Sequence, residues 1–134
     1  MRLWHKDLIP VLPRQQLLGQ WRELCCIAKN IAERGTPNHM LVNKVMDYPP
    51  VELTLYAQLV FNELKERGYK CDWQKFMQYR SVTTIELPKE AIFSGWHNYR
   101  YFLQCYFNLQ EKYDCGGICE KEWERIKNEF TVII

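Results

Sequence analysis

One acidic residue, Glu23, has the surroundings in which a carboxylate could take part in a reaction. It falls in a segment, about 14–34, where apolar residues recur every three or four positions, as on the buried stripe of an amphipathic helix. Glu23 lies on the face away from that stripe. This outward face carries positions 16, 19, 20, 23, 26, 27 and 30. A glutamate beside Arg22 on such a face is usually part of a solvated helix surface. The spacing alone favours that interpretation, for Gln15 and Gln16 as well.

Three histidines could act as acids, bases or ligands. His5 lies near the N-terminus, where it could support a site that includes this end of the chain or be an exposed loop residue. His39 stands with Lys44 in a polar connector that could approach an anionic partner, and the alternative is a loop-capping role. His97 is at a predicted helix start, which favours a capping or core role. The spacing supports no Ser/His/Asp or Cys/His catalytic set.

The six cysteines fit free thiols in a reducing compartment better than a disulfide framework. Only Cys115 and Cys119, in DCGGIC, have a spacing that suggests a metal pair, and no second pair with histidine support follows. A glycine turn with two small, semi-buried side chains is the favoured interpretation. We therefore expect neither a metal nor an organic cofactor.

The elements that must position these residues are predicted to be helices. Helical periodicity marks four segments, at about 14–34, 50–67, 97–113 and 120–130. Gly35 and Gly68 are expected to end the first two. Residues 1–13 are expected to be irregular, since Pro10 and Pro13 interrupt them.

The connecting segments are less regular. Residues 36–50 are predicted to form a loop or short helix, and 69–87 a short helix around Phe76 followed by an extended SVTTIEL segment. Pro88 can begin another helical turn. Strand content is too small for a sheet protein. We predict an all-α fold, a compact single-domain helical bundle over residues 1–134 with long irregular connections.

Composition and charge limit the classes of function. A chain of 134 residues fits one domain, here expected to be a monomer. Without a long apolar run or a signal-peptide pattern, we expect no membrane span and a cytoplasmic protein. The net charge of +2 argues against a large non-specific phosphate-binding surface. Seven Lys/Arg against four acids in residues 1–47 nevertheless permit an anionic partner there.

The stretch MRLWHKDLIPVLPRQQLLGQWREL resembles the N-terminal region of the phage pyrimidine-dimer DNA glycosylase family, the endonuclease V type. An arginine follows the first residue, Gln15 comes shortly before Leu17, and an aromatic residue precedes the run Arg22-Glu23-Leu24. The later LKERGY run, and His97 followed by Glu111-Lys112, also have counterparts in that family. The resemblance covers most of the chain and is sharpest over residues 1–24.

This resemblance implies a compact helical protein that binds lesion-containing double-stranded DNA and cuts the glycosidic bond and then the backbone through a Schiff base. Carried over to this sequence, the nucleophile is the α-amine of Met1, the carboxylate is Glu23, and Arg2 and Arg22 hold phosphates. Gln15 matches a DNA-contacting position. The remaining residues expected to contact DNA are His5, Gln16, His39, Lys44 and Lys112.

The sequence also departs from the family pattern. The phage member exposes a threonine after methionine removal, whereas Arg2 follows Met1 here and should block that removal. One extra residue lies between Arg2 and Gln15, Gln16 replaces a histidine, and Cys26 occupies a position that is basic in the family.

An N-terminal amine is a reasonable nucleophile on physical grounds. The reference pKa of an α-amine is about 7.7–8, against about 10.4 for lysine, so a useful fraction is unprotonated at neutral pH. A nearby carboxylate can stabilise positive charge at the sugar and move protons. Two alternatives stay open: a non-catalytic nucleic-acid-binding relative, and a nucleic-acid hydrolase that uses Glu23 without the amine.

Overall fold

The computed structural model describes residues 1–81 and 85–133, which form five α-helices, three short 3₁₀ helices and no strand. The α-helices are α1 (Arg14–Arg34), α2 (Pro50–Glu66), α3 (Gln74–Met77), α4 (Tyr99–Asp114) and α5 (Glu120–Ile133). The predicted all-α class is confirmed. Part of the SVTTIEL segment lies outside the described residues.

The helix ends follow from local chemistry. Gly35 adopts a left-handed conformation (φ 76°), and its N–H donates to the Ile31 carbonyl, which stops α1 as predicted. Pro50 occupies the first turn of α2, where its missing N–H would have no helical partner anyway. The Asn98 side chain accepts the N–H of Tyr101 at 2.9 Å and caps α4, which therefore begins slightly later than predicted.

The prediction that residues 1–13 are irregular was wrong for Lys6–Val11, which form a 3₁₀ helix that contains Pro10. The His5 imidazole accepts the N–H of Asp7 and caps this helix. Leu8 inside the segment is fully buried. The segment is ordered because its apolar residues complete the core between α2 and α5. The positions of the two prolines do not reveal these contacts.

The other connections include short helices as well. Asn43–Asp47 and Lys89–Ala91 are 3₁₀ helices, the second beginning after Pro88 as predicted. One core unites the elements: α1 packs on α2 and α3, and α4 packs on α5. Trp96, Phe102 and Tyr106 of the aromatic run 96–107 are buried in it, whereas Tyr101 is partly buried and Tyr99 and Phe107 are about half exposed.

The DCGGIC turn is a glycine turn, as predicted, but Cys115 and Cys119 are exposed rather than semi-buried. Gly116 is left-handed (φ 83°), and the Gly117 N–H donates to the Lys112 carbonyl at 2.8 Å, closing the end of α4. Within residues 1–81 and 85–133, no group of three or more His, Cys, Asp and Glu could hold a metal. No helix there is long and apolar enough to span a bilayer.

Candidate active site

A polar hollow of about 350 Å³, here called the N-terminal hollow, lies between the start of the chain, α1 and α4. Six of the predicted site residues line it: Met1, Arg2, Gln15, Gln16, Glu23 and Lys112. Sequence reasoning did not select five further lining residues: Trp4, Gly19, Gln20, Leu41 and Asn108. The structure therefore brings together the end of the chain and a glutamate on the first long helix.

Glu23 is half-buried in this hollow. Burial raises the pKa of its carboxyl, while the N-terminal amine, a hydrogen bond from the Arg2 backbone, His39 and Arg22 act in the opposite direction. The Gln20 side-chain amide donates to Glu23 Oε2 at 3.3 Å. A carboxyl with a raised pKa beside an amine is suited to taking up and releasing protons.

Gln20 ties the start of the chain to α1. It is 1% exposed, its Oε1 accepts the Trp4 N–H at 2.8 Å, and its Nε2 donates to the Arg2 carbonyl at 3.0 Å. The Tyr56 hydroxyl on α2 donates to the Trp4 carbonyl at 2.6 Å and lies 3.0 Å from Gln20 Oε1. Gln20 lies on the face predicted to point away from the buried stripe, and it is buried because residues 1–4 cover that face of α1. Ile27, placed on the same face, is also fully buried.

The opposite side of the N-terminal segment is held from the start of α4. The Tyr101 hydroxyl donates to the Leu3 carbonyl, and His97 Nδ1 accepts the Lys6 N–H at 3.0 Å. The His97 ring stacks on His5, with centroids 5.1 Å apart. The core role predicted for His97 is confirmed, and burial lowers its pKa to about 2.

His5 lies in the core rather than on a surface that DNA can reach. The residue is 3% exposed, and besides the stacking on His97 its ring contacts the edge of Phe102. Burial lowers the pKa of His5, which keeps the imidazole neutral. Its place in sequence, next to Trp4, did not indicate that its ring turns inward.

Two cations stand at the rim of the N-terminal hollow. The Arg2 guanidinium lies over the Trp4 ring, 5.4 Å from its centroid, and Lys112 comes from the last turn of α4. Neither forms an ion pair with any residue in the described part of the chain. Both are therefore free to bind an anion.

Arg22 is exposed and lines a different hollow, on the other flank of α1. Its Nη2 lies 3.8 Å from where a Cβ on Gly19 would be, so its guanidinium reaches the edge of the N-terminal hollow. The structure thus places Arg22 beside the hollow and not inside it.

His39 and Lys44 lie in the connector between α1 and α2. His39 Nδ1 accepts the Leu41 N–H at 3.2 Å, which is the loop-capping geometry weighed as the alternative. Lys44 lines a third hollow of about 360 Å³, the connector hollow, together with Arg100, which sequence reasoning had passed over. Leu41 lines both this hollow and the N-terminal one, so the two are adjacent.

Two details of the N-terminal hollow are unexplained by the fold itself. Gln16 Oε1 is buried and has no hydrogen-bond partner among the described residues. Gly19 interrupts the interior of α1, although a Cβ there would meet only Arg22 at an ordinary contact distance. An unsatisfied acceptor and a glycine that packing does not require both suit a surface that a ligand approaches closely.

Comparisons with known proteins bear on the identity of that ligand. Neither a search of curated proteins nor a search of solved structures gave a match. Residues 1–77 match the family model described as pyrimidine dimer DNA glycosylase. This span includes Met1, Arg2, Gln20 and Glu23. As it exceeds half of the 134 residues, the chain, with its amine and carboxyl in one hollow, belongs to the pyrimidine dimer DNA glycosylase family.

Proposed function

We propose that this protein is a DNA glycosylase with lyase activity on duplex DNA that contains pyrimidine dimers. The Met1 α-amine is the nucleophile and Glu23 is the acid–base group. One observation carries the proposal: the first residue and the half-buried carboxyl line the same hollow. The six free thiols suit a reducing compartment such as the cytoplasm.

The reaction uses only groups of the protein and water. The unprotonated amine attacks C1′ of the damaged nucleotide, the bond from C1′ to the base breaks, and the base leaves with the electron pair. Glu23 accepts the proton that the amine loses and passes it to the ring oxygen O4′, so that the sugar ring opens to give an imine. Glu23 then takes the C2′ proton as the 3′ phosphate leaves, and water hydrolyses the imine and releases the amine.

The neighbouring residues fit the binding of a distorted backbone. Arg2 and Lys112 at the rim can hold phosphate oxygens, and the amides of Gln15 and Gln16 can contact DNA beside them. Gln16 Oε1 is buried and unpartnered in the free protein, and it gains a donor from the substrate when its side chain turns outward. Because C1′ of the damaged nucleotide is inaccessible in a stacked duplex, the enzyme must unstack or flip out a base at that point to reach it.

Borohydride reduction with a duplex that carries one abasic site tests the proposal. We expect a covalent adduct, whose intact mass and peptide map place the DNA on the N-terminal residue. Adding one residue before Met1 moves the amine by up to about 3.8 Å and should suppress the adduct. An undiminished adduct in the extended protein would mean that a lysine is the nucleophile.

The same experiment separates the alternatives. Binding without cutting or trapping would favour a non-catalytic relative of the family. Cutting without trapping would favour a hydrolase that uses Glu23 and no covalent intermediate. The expected monomer is checked by sedimentation of the free protein.

A further inference from the structure

The connector between α1 and α2 presents two apolar side chains to solvent beside the candidate site. Met40 is 84% exposed and Leu41 47% exposed. Leu41 lines the N-terminal hollow and the connector hollow, and Met40 lines the connector hollow. The pair therefore stands on the boundary between the two.

The turn that carries this pair is fixed by its own hydrogen bonds. The His39 carbonyl accepts the N–H groups of Val42 and Asn43 at 3.1 and 2.8 Å. Asn43 Oδ1 in turn accepts the His39 N–H at 3.0 Å. Val42 is fully buried and anchors the turn to the core. Met40 and Leu41 are thus held outward at the tip of a closed turn.

Positive charge flanks the tip on both sides. Lys44 and Arg100 line the connector hollow, and Arg2 and Lys112 line the N-terminal hollow. Among the described residues that line the connector hollow, none is acidic. This pattern, apolar in the middle and cationic on either side, complements a duplex, whose apolar base stack runs between two phosphate backbones.

We propose that Met40 and Leu41 form a wedge that enters the base stack of the duplex beside the lesion. The wedge holds the stack open at that point, so that C1′ of the damaged nucleotide can reach the amine. Leu and Met are among the side chains with which DNA-bending proteins separate base steps. This inference rests on the proposed function.

Two separate effects are expected from the double substitution Met40→Ala with Leu41→Ala. The rate of borohydride trapping on a duplex abasic site should fall by about tenfold or more. The two alanines cannot replace the base stacking that is lost when the duplex opens. On single-stranded abasic DNA, which has no pairing to disrupt, the rate should stay within about twofold of wild type.

Met46→Ala is the matched control. Met46 lies in the same connector and is 48% exposed, but it lines neither of the two hollows. It should trap both substrates like wild type. Because all three side chains are exposed, thermal melting should show that every variant is folded.

Equal trapping of the duplex by the double variant and wild type would overturn the wedge. So would a wild-type dimer that the double substitution dissolves, since the tip would then be a contact between two copies of the chain. Failure of the proposed function is distinguishable, because wild type would trap neither substrate. In that case a duplex with 2-aminopurine opposite the abasic site tests the wedge. The fluorescence of 2-aminopurine should rise when wild type binds and not when the double variant binds. An equal rise with both proteins would overturn the wedge.

Discussion

Two hollows on opposite flanks of α1 are similar in size and different in chemistry. The N-terminal hollow has a volume of about 350 Å³, and the other, here called the thiol hollow, about 280 Å³. The first contains the start of the chain, a carboxyl and four side-chain amides. The second is lined by Trp21, Leu64, Cys25 and Cys71 together with Leu18, Arg22, Lys70, Asp72 and Lys75.

The thiols do not make the second hollow reactive. Burial raises the pKa of Cys25 to about 11 and also raises that of Cys71, so both stay protonated at neutral pH, and a thiol is a much weaker nucleophile than a thiolate. Size therefore does not tell the two hollows apart. The two hollows differ in the residues that pack against α1. Residues 1–4 with their free amine lie on one flank, and the aromatic cluster around Trp73 lies on the other.

The largest expected effect comes from neutralising the acid of the N-terminal hollow, in comparison with neutralising an acid of the thiol hollow. Glu23→Gln should abolish strand cutting, because an amide cannot accept the proton that the chemistry releases, while DNA affinity stays within a few-fold. Asp72→Asn in the thiol hollow is the matched control, since asparagine keeps the acceptor for the Gln74 N–H. Gel assays of cutting and binding measure both, and an active Glu23→Gln protein would remove Glu23 from the mechanism.

Gln20→Leu tests what holds the amine in place. Leucine has the size of the amide but leaves the Trp4 N–H without its partner, so we expect about 1–3 kcal/mol lower stability. Trapping should fall by about 10- to 100-fold, since a misplaced nucleophile is penalised steeply. Val60→Ala in the core of α2 controls for the loss of stability alone and should trap normally. Equal trapping losses in the two variants would reduce Gln20 to a structural role.

Acid should weaken the side of the molecule that holds the N-terminal segment. The pKa of His97 is lowered from 6.5 to about 2 in the folded protein, so below pH 6.5 only the unfolded chain takes up its proton. Its contribution to the unfolding free energy is complete above that pH and falls by up to about 1.4 kcal/mol per pH unit as acid is added.

Denaturant titrations from pH 7 to pH 4 measure this slope. His97→Asn offers a new acceptor to the Lys6 N–H without a titrating ring, and should make the slope shallower. Val60→Ala, which lowers stability but removes no titrating group, should leave the slope close to wild type. An unchanged slope in His97→Asn would contradict the prediction.

The smallest expected effect is that of Gly19→Ala in the wall of the N-terminal hollow. Alanine should raise the unfolding free energy by up to about 1 kcal/mol, because glycine is a poor residue for a helix interior and the added methyl meets no clash. DNA affinity should fall a few-fold, as the methyl occupies space that a ligand approaches. Cys26→Ala on the exposed surface of α1 should leave affinity unchanged. A stabilised variant with full affinity would show that nothing approaches Gly19 closely.

Much of the site was predictable where it lies within one helix or at the chain start. Gln16 and Glu23 are seven positions, about two turns, apart along α1, so a correct helix assignment places them on one face together with Gly19. The resemblance over residues 1–24 supplied the link to Met1, which spacing could not give. Lys112 came from a fainter resemblance and lines the same hollow.

The misplaced residues depend on contacts between distant parts of the chain. Gln20 was expected on the face of α1 away from the buried stripe, and its burial requires the hydrogen bond to Trp4, 16 positions away, and the contact with Tyr56, 36 positions away. His5 was expected near DNA, but its ring packs on His97. Helical periodicity records only neighbours within a few positions and carries no signal for such pairings.

The sequence by itself determined the helices: their apolar spacing, the glycines that end them and the proline that begins α2 act within a few residues, where local sterics and hydrogen bonds decide. Only the tertiary structure decided which side of α1 the chain start covers. That choice depends on the Tyr101–Leu3 hydrogen bond, across 98 positions, and on buried polar groups that must find partners wherever the fold places them.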